Sequence, residues 1–600
     1  MRVSDYIFKR LKEKYGVDRV FMITGGGAMH LNDAVLQSGL AYTCCHHEQA
    51  CAIAAEGYVR AGKRLGVVNV TTGPGGLNTL TGIMGEWTDS VPVLYISGQV
   101  KQSTTISACP DLPLRQLGDQ EVDIISVVKP LTKYACQIKR AEEVGRILDE
   151  AVHAALSGRP GPVWIDVPMD IQGALVDEKE MDATLSVFHP AWSAVLKPGE
   201  VAMQELFSLL DQCQRPVLIA GNGIRISGAE AGMRAFLEKM PMPVLGTFNG
   251  MDLLEEDHPC FVGRIGTLGS RAGNFALQNA DLVLCVGSRN NIRQTSYNYE
   301  FFARAGRLVC VDVDMAEMQK PTVHPCMAIQ SDAKAFFRAM EAYRPKRSYE
   351  DWLDWALERK KKYPVVLPEY ATPGRVNPYY FVDCLSRMLP ADAVVATANG
   401  SACVVGFQAA KVKRGQRWFW NSGCAAMGYD LPAAVGAALA SPGKTVVCLS
   451  GDGSLMMNIQ ELATVVANKL DLKLVVLNNG GYVSIRQTQD NFFSGRYIGI
   501  GPDSGVVFPD FLKLSEAFGI PAFRVDRNEE VDSGLQRLLQ MKGPVFCEVL
   551  LPHDYVFQPK TSSERKPDGR MVSKPLEDLY PFLPRDEFEG NMIVPLINEC

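Results

Sequence analysis

The sequence predicts an α/β protein made of three doubly wound parallel-sheet domains, and three observations carry that expectation. Short β-branched runs alternate with helical stretches almost throughout, the pattern of parallel strands covered by crossover helices. The alternation falls into three blocks, divided by charged, proline-containing stretches. At 600 residues the chain is also longer than one hydrophobic core can serve.

The first block, residues 1–175, holds "RVFMI", "AYTCC", "GVVNVT", "PVLYISG" and "PVWIDVP" as strands, with helices beginning near Ala28, Glu48 and Gly75. "EKEMDATLSVFHPAWSAVLKPGE" reads as a connector to the second block, residues 195–345, whose strands are "PVLIAGNGI", "ADLVLCVGS" and "RLVCVDVD". "AGNGIRISGA" there is a Rossmann-like glycine-rich turn, although a G-x-G signal alone is weak. The third block, residues 370–555, has "AVVATANG", "KTVVCLSGDGS", "LKLVVLNN" and "PVFCEVLLP" as strands, and a proline- and charge-rich tail, 556–600, follows.

Hydrophobic residues make up 47% and charged residues 21%, an ordinary globular balance. The net charge of -6 and the lack of a dense Lys/Arg stripe speak against a nucleic-acid partner. No uncharged run is long and apolar enough to cross a bilayer, and "MRVSDYIFKRLKEKYG" lacks the apolar stretch of a signal peptide. A cytoplasmic protein working on small molecules, without a membrane partner, is therefore expected. The sixteen cysteines include no C-x-x-C pair and read as reduced core residues rather than zinc ligands.

In an open parallel sheet, ligands collect at the carboxyl ends of strands. "KTVVCLS" delivers "GDGS" to such an end and "LKLVVL" delivers "NNGG" to the next, so Asp452 and Asn479 can meet across 27 positions. A carboxylate and an amide oxygen are hard ligands suited to Mg²⁺. Gly451 and Gly453 allow close backbone approach, and the amides of Gly453 and Ser454 at a helix start suit a phosphate. Singly, each motif is more often a turn. Together, after buried strands and separated by one helix, they point to a metal-bridged diphosphate.

These residues carry a resemblance. "GDGSLMMNIQELAT" and "LNNGGY" resemble the thiamine-diphosphate-binding motif, and the likeness to the acetolactate synthase branch of that enzyme family extends over most of the chain. It implies a pyrimidine-binding first block, a central domain and a diphosphate-binding third block. It also implies that Asp452, Asn479 and the Gly481 carbonyl hold Mg²⁺, and that Gly400 and Ser401 of "TANGSA" contact the diphosphate. "HHEQACAIAAEGYVRAG" resembles the segment whose glutamate exchanges a proton with the cofactor's pyrimidine, which puts Glu48 in that role with His47 in support. A sequestered apolar setting would raise its pKa and favour a shared proton, whereas a glutamate opening a helix otherwise complements the dipole. "SGCAAMGYDLPAAVGAA" offers Met427 as the wedge that bends the cofactor, with the backbone of Ala425 and Met427 meeting the pyrimidine. Gly75, in "TTGPGGLNTLTGIMGEW", belongs to the donor pocket, and Gln120 is the candidate for orienting substrate; Asp119 stands where synthases carry phenylalanine. His30, in "GGGAMHLND", is either a proton shuttle or a structural histidine. The central domain often holds FAD in this branch, but Asn290 and Asn291 replace the usual acidic pair, which leaves FAD open and a flavin there structural.

Glu48 and Asp452 lie in separate blocks, and the family joins such blocks between subunits, so a homodimer with interface sites is implied, and a tetramer is left open. The implied reaction is carboligation: decarboxylation of a 2-oxo acid, pyruvate, and acyl transfer to a second carbonyl compound. "YVSIRQTQ" departs from the synthase pattern, with Ser484 and Thr488 in place of large side chains, the second of a tryptophan. That space suits a larger or more polar acceptor, such as a keto sugar nucleotide in branched-sugar synthesis. A simple 2-oxo acid decarboxylase fits less well, because His46 and His47 do not match that group's catalytic pair; a non-catalytic homologue would be expected to lose Glu48 or Asp452. The tail either closes over the pocket or is a surface extension.

Overall fold

A computed structural model describes residues 1–185, 195–565 and 569–597. The middle of the expected connector, residues 186–194, lies outside these; the part before it is the helix Glu178–Leu185, where a connector was expected.

The architecture is α/β, with three six-stranded sheets whose strands are all parallel. The first contains β1 (Arg19–Met22), β2 (Ala41–Cys44), β3 (Gly66–Val70), β4 (Val93–Gln99), β5 (Tyr134–Gln137) and β6 (Val163–Pro168). The second contains β7 (Pro216–Ala220), β8 (Val244–Gly246), β9 (Phe261–Arg264), β10 (Leu282–Val286), β11 (Arg307–Asp312) and β12 (Met327–Gln330). The third contains β13 (Val394–Thr397), β14 (Arg417–Phe419), β15 (Val446–Gly451), β16 (Leu472–Asn478), β17 (Ala522–Val525) and β18 (Val545–Leu550). Central strands such as β3 and β4 are buried along their whole length, as apolar runs covered on both faces must be.

Strand order positions the site. The first sheet runs β2-β1-β3-β4-β6-β5 and the third β14-β13-β15-β16-β18-β17, the same order with each number raised by twelve. The second runs β12-β11-β10-β7-β8-β9, a Rossmann order. Six strands, β5, β8, β9, β12, β14 and β17, have no counterpart among the expected runs. Five are sheet edges, where less burial permits mixed composition; β12 is only partly buried and β8 has 3 residues.

The first and third blocks pack within one chain through the helices Glu48–Arg60 and Asp430–Ala440. Their crossing is built on two glycines: a β-carbon on Gly57 would stand 2.1 Å from the Ala433 carbonyl oxygen, and one on Gly436 would stand 1.9 Å from that of Ala54. Arg417 Nη1 pairs with Asp252 at 2.8 Å, tying the third block to the central one, and Arg159 pairs with Asp314 at 2.8 Å, tying the first.

The tail is more than a surface extension. After a short antiparallel hairpin, β19 (Ser563–Arg565) with β20 (Met571–Ser573), it lies on the central domain. Leu576 and Leu579 are buried, and the helix Arg271–Asn279 meets the tail through Asn274 Nδ2 to the Leu576 carbonyl (2.7 Å), Gln278 Nε2 to Glu577 (2.9 Å) and Asn279 Nδ2 to the Asn591 carbonyl (2.9 Å).

Candidate functional site

β15 and β16 are paired in register up to Gly451 and Leu477, so the turns that follow them lie side by side. Asp452, buried at the start of the helix Asp452–Met456, spans both turns: Oδ1 accepts from the Gly453 amide at 2.7 Å, and Oδ2 from the amides of Asn479 at 3.1 Å and Gly481 at 3.0 Å. Burial pushes its carboxyl up to about 6 against these donors. The Asn479 side chain is buried too; its Nδ2 lies 3.4 Å from the Tyr555 hydroxyl, while its Oδ1 has no hydrogen-bond partner. A buried orphan oxygen is destabilising, and beside a fixed carboxylate it fits a hard cation. Gly481 supplies backbone at the same place, with φ +154° and no room for a β-carbon, which would stand 1.9 Å from the Ile500 carbonyl oxygen. The donor set is mixed oxygen, for among the described residues no three His, Cys, Asp or Glu side chains gather as a metal site.

The neighbouring turns extend this half. Gly400 has φ +76° and ends the turn from β13 into the helix Ser401–Ala409. Asn399 Nδ2 donates to Asn421 Oδ1 at 2.8 Å and to the Ala426 carbonyl at 2.6 Å, drawing the Gly400 turn to the loop that carries Ala425 and Met427. Ala425 is exposed and left-handed at φ +58°, and Met427 is 38% exposed, a large apolar side chain left uncovered by its own chain. Ser454 Oγ donates to Asp430 and accepts from the Gly428 amide at 2.8 Å, so its hydroxyl is internal. The Gly453 amide, expected to face a phosphate, is instead turned onto Asp452.

The other half gathers at the ends of β2 and β3. His47 caps the Glu48 helix, its Nδ1 accepting from the Gln49 amide at 3.1 Å. Glu48 Oε2 accepts from Asn78 Nδ2 at 2.9 Å, and a β-carbon on Gly75 would stand 3.7 Å from Glu48 Oε1. Gln120 is exposed and left-handed at φ +63°, with its carbonyl pressed on Gly73. Its neighbour Glu121 is buried, accepting the amides of Leu117 and Gly118 at 3.0 and 3.2 Å, and pins that loop. The sequestered setting expected for Glu48 is not formed by one chain, in which Glu48 is only half-buried. The His30 ring lies beside Gly173, where a β-carbon would stand 3.2 Å from Nε2.

Within one chain the halves touch at their margins. The His46 amide donates to Glu461 at 2.9 Å, and Asn458 Nδ2 bridges Gln49 Oε1 (3.2 Å) and the Gly428 carbonyl (2.7 Å). Among the described residues no hydrogen bond or ion pair joins Glu48 to Asp452 or Asn479. Asn78, Tyr555, Asn399 and Asn458 were not anticipated. Tyr555 alone had a partial signal, since it follows the recognisable strand run "PVFCEVLLP"; that this strand lies beside β16 comes from the structure.

A separate cavity opens at the carboxyl ends of β7, β10 and β11. Asn222, Gly223, Asn249, Arg289 and Asp312 line it. Asn222 Oδ1 and Asn249 Oδ1 are buried without partners, and burial raises the Asp312 carboxyl. Asn290, left-handed at φ +48°, is turned inward and accepts from Gln294 Nε2 at 2.5 Å. Donors and acceptors at this position suit a dinucleotide. Among the described residues, no helix is long and apolar enough to cross a membrane.

Residues 1–126 match the family model of the thiamine pyrophosphate enzyme N-terminal TPP binding domain, 203–340 that of the central domain, and 398–549 that of the C-terminal TPP binding domain. The chain is 36% identical over 536 residues to the acetolactate synthase isozyme 2 large subunit of Escherichia coli K12, covering 89% of this chain and 93% of that protein. It is 33% identical over 557 residues to the chloroplastic acetolactate synthase 1 of Zea mays (90% and 84%) and 32% identical over 566 residues to the chloroplastic acetolactate synthase 1 of Nicotiana tabacum (92% and 82%).

Proposed function

The chain belongs to the thiamine pyrophosphate enzyme family as an acetolactate-synthase-like member, and from that premise we propose a Mg²⁺-dependent carboligase that decarboxylates pyruvate and passes the two-carbon acyl unit to a second carbonyl compound. One observation carries the cofactor reading: the orphan amide oxygen of Asn479 beside Asp452, at the ends of neighbouring strands. Asp452, Asn479 and the Gly481 carbonyl hold Mg²⁺. Gly400, Ser401, Gly451 and Ser454 form the backbone cradle of the diphosphate, Gly453 with its amide on Asp452 fixes the carboxylate instead, and Ala425 and Met427 support the pyrimidine. Thiamine diphosphate, when bound, supplies the carbon that makes the acyl group of a 2-oxo acid nucleophilic as carbon dioxide leaves.

The chain's own groups do the rest. Glu48 holds a proton at a pyrimidine ring nitrogen, Asn78 fixes the direction of its carboxyl, and Gly75 keeps the space before it open. Gln120 orients the 2-oxo acid from the rim. His30, whose ring lies beside Gly173, is either a proton shuttle or a structural histidine. Half-exposed Glu48 and uncovered Met427 support a homodimer in which the first block of one copy completes the third block of the other, with a tetramer as two such pairs. FAD, as a structural group, fits the central cavity on its orphan asparagine oxygens.

The test is to supply the purified protein with pyruvate, thiamine diphosphate and Mg²⁺ and follow carbon dioxide and acetolactate. Both should appear. Acetaldehyde as the sole product overturns carboligation in favour of decarboxylation. A second reading, in which the acceptor is a keto sugar nucleotide, is favoured by exposed Thr488 and the small Ser484 on one helix face, and it requires ligated product only when such a sugar is supplied.

A further inference from the structure

The helix Val483–Phe493 follows the Gly481 turn and sets Ser484, Gln487 and Thr488 on one face, three and four positions apart. Gln487 is fixed from both ends: Nε2 donates to the Tyr555 carbonyl at 3.1 Å, and Oε1 accepts from Lys560 Nζ at 3.0 Å. Lys560 stands on fixed backbone. Its amide donates to the Tyr580 carbonyl at 3.0 Å, the Tyr580 amide donates back at 2.7 Å, and the Thr561 amide donates to the Thr267 carbonyl at 2.8 Å. Tyr555 thus meets Gln487 through its main-chain carbonyl and Asn479 Nδ2, 3.4 Å away, through its hydroxyl, so one residue lies between the ammonium's partner and the proposed metal site.

Among the described residues that ammonium meets no counter-charge. It is half-buried, its one side-chain bond among the described residues is to a neutral amide, and no described carboxylate pairs with it. Burial lowers its pKa with no charged neighbour to offset the effect. Lys360 shows the contrast, since its burial is offset by Glu256 at 3.3 Å. A partly desolvated cation with two donors unused among the described residues is destabilised unless an anion reaches it.

We infer that Lys560 binds the negative charge of the acceptor substrate, with Gln487 aiming the ammonium across the face that Ser484 and Thr488 leave open. Carboxylate and phosphate share the required chemistry, since a lysine acts as a point charge toward either. The inference rests on the carboligase reading and adds to it the residue that selects the acceptor.

The experiment uses the full chain with thiamine diphosphate and Mg²⁺, pyruvate as fixed donor, and three acceptors: 2-oxobutyrate, glycerone phosphate and uncharged glyceraldehyde. Lys560→Met should raise the KM for the preferred anionic acceptor roughly 10- to 100-fold, the loss expected for a charged hydrogen bond. It should leave kcat, carbon dioxide release and the KM for glyceraldehyde within about twofold, and Lys560→Arg should recover most of the anion affinity. Whichever anion loses more identifies carboxylate or phosphate. Gln487→Glu, which gives the ammonium an internal partner, should weaken the same acceptor and serves if Lys560→Met is unstable. An unchanged KM for both anions, or an equal loss for glyceraldehyde, overturns the inference alone. Wild-type protein that ligates no acceptor overturns the carboligase reading with it.

Discussion

At the residue scale, the proposed function gives Asp452 and Asn479 the binding and Glu48 the chemistry, and that division can be measured. Asp452→Ala or Asn479→Ala should abolish most of the rise in Tm that thiamine diphosphate and Mg²⁺ together produce, because ligand bound to the folded state stabilises it by mass action. Glu48→Gln should keep that rise while carbon dioxide release falls about 10²- to 10⁴-fold, the usual size of an acid–base contribution. If Glu48→Gln turns over normally, the proton assignment is wrong. A third prediction concerns pH. Asp166 is fully buried on β6, hydrogen-bonded by Ser97, Gln137 and Gln99, and burial pushes its carboxyl up to about 6. The folded state therefore holds this proton more tightly than the unfolded one, so its contribution is full below about pH 4 and is lost as pH rises through 6. Between pH 4 and 7, wild-type stability should fall relative to Asp166→Asn by about 3 kcal/mol, read from denaturant melts; parallel profiles would contradict it. Asp452 and Asn479 were legible because each follows a recognisable buried strand. Asn78 was not, since one asparagine that orients a carboxylate 30 positions away leaves no spacing to read.

At the scale of elements, the crossing of the helices Glu48–Arg60 and Asp430–Ala440 is the most sensitive contact. Gly57 and Gly436 meet main-chain oxygens, which cannot step aside as a flexible side chain can. Gly57→Ala or Gly436→Ala should each destabilise the protein by roughly 1–3 kcal/mol through overpacking, seen as a lower denaturant midpoint with an unchanged slope; a midpoint equal to wild type would remove the argument. The small-residue runs "ACAIAAEG" and "LPAAVGAA" are visible in the sequence, but their mutual contact is not, because nothing in either run names its partner. The same limit explains the strands: β3, β4, β15 and β16 are continuous apolar runs, whereas β5, β12 and β17 are edges with partly buried residues that resemble loops in composition.

For the whole molecule, the three-block division was readable from composition, and the shared strand order of the first and third sheets was not, since order depends on pairing between distant runs. That repetition places the Glu48 helix after β2 where the Asp430 helix follows β14, each at the same point of its own sheet. On the first block, the apolar side chains of Met29, Tyr42, Leu77, Met84 and Trp87 are exposed in the single chain. A patch of this kind marks an association surface. Sedimentation should accordingly give at least a dimer at micromolar concentration, and Trp87→Glu should shift it toward monomer with loss of turnover; a fully active monomer would refute the shared site.

The tail's seat on the central domain bears on biosynthesis. Asn274, Gln278 and Asn279 wait for partners about 300 positions further along the chain, with separations of 302, 299 and 312 residues. While the chain is still on the ribosome, those amides have only their nearer partners, the carbonyls of Gly266, Phe301 and Phe275, and their remaining N–H groups meet water in place of the tail. A message cut short near its 3′ end would thus yield a protein whose sheets can all form and whose middle domain still shows a raw flank, a mark by which cellular surveillance can tell an interrupted product from a finished one.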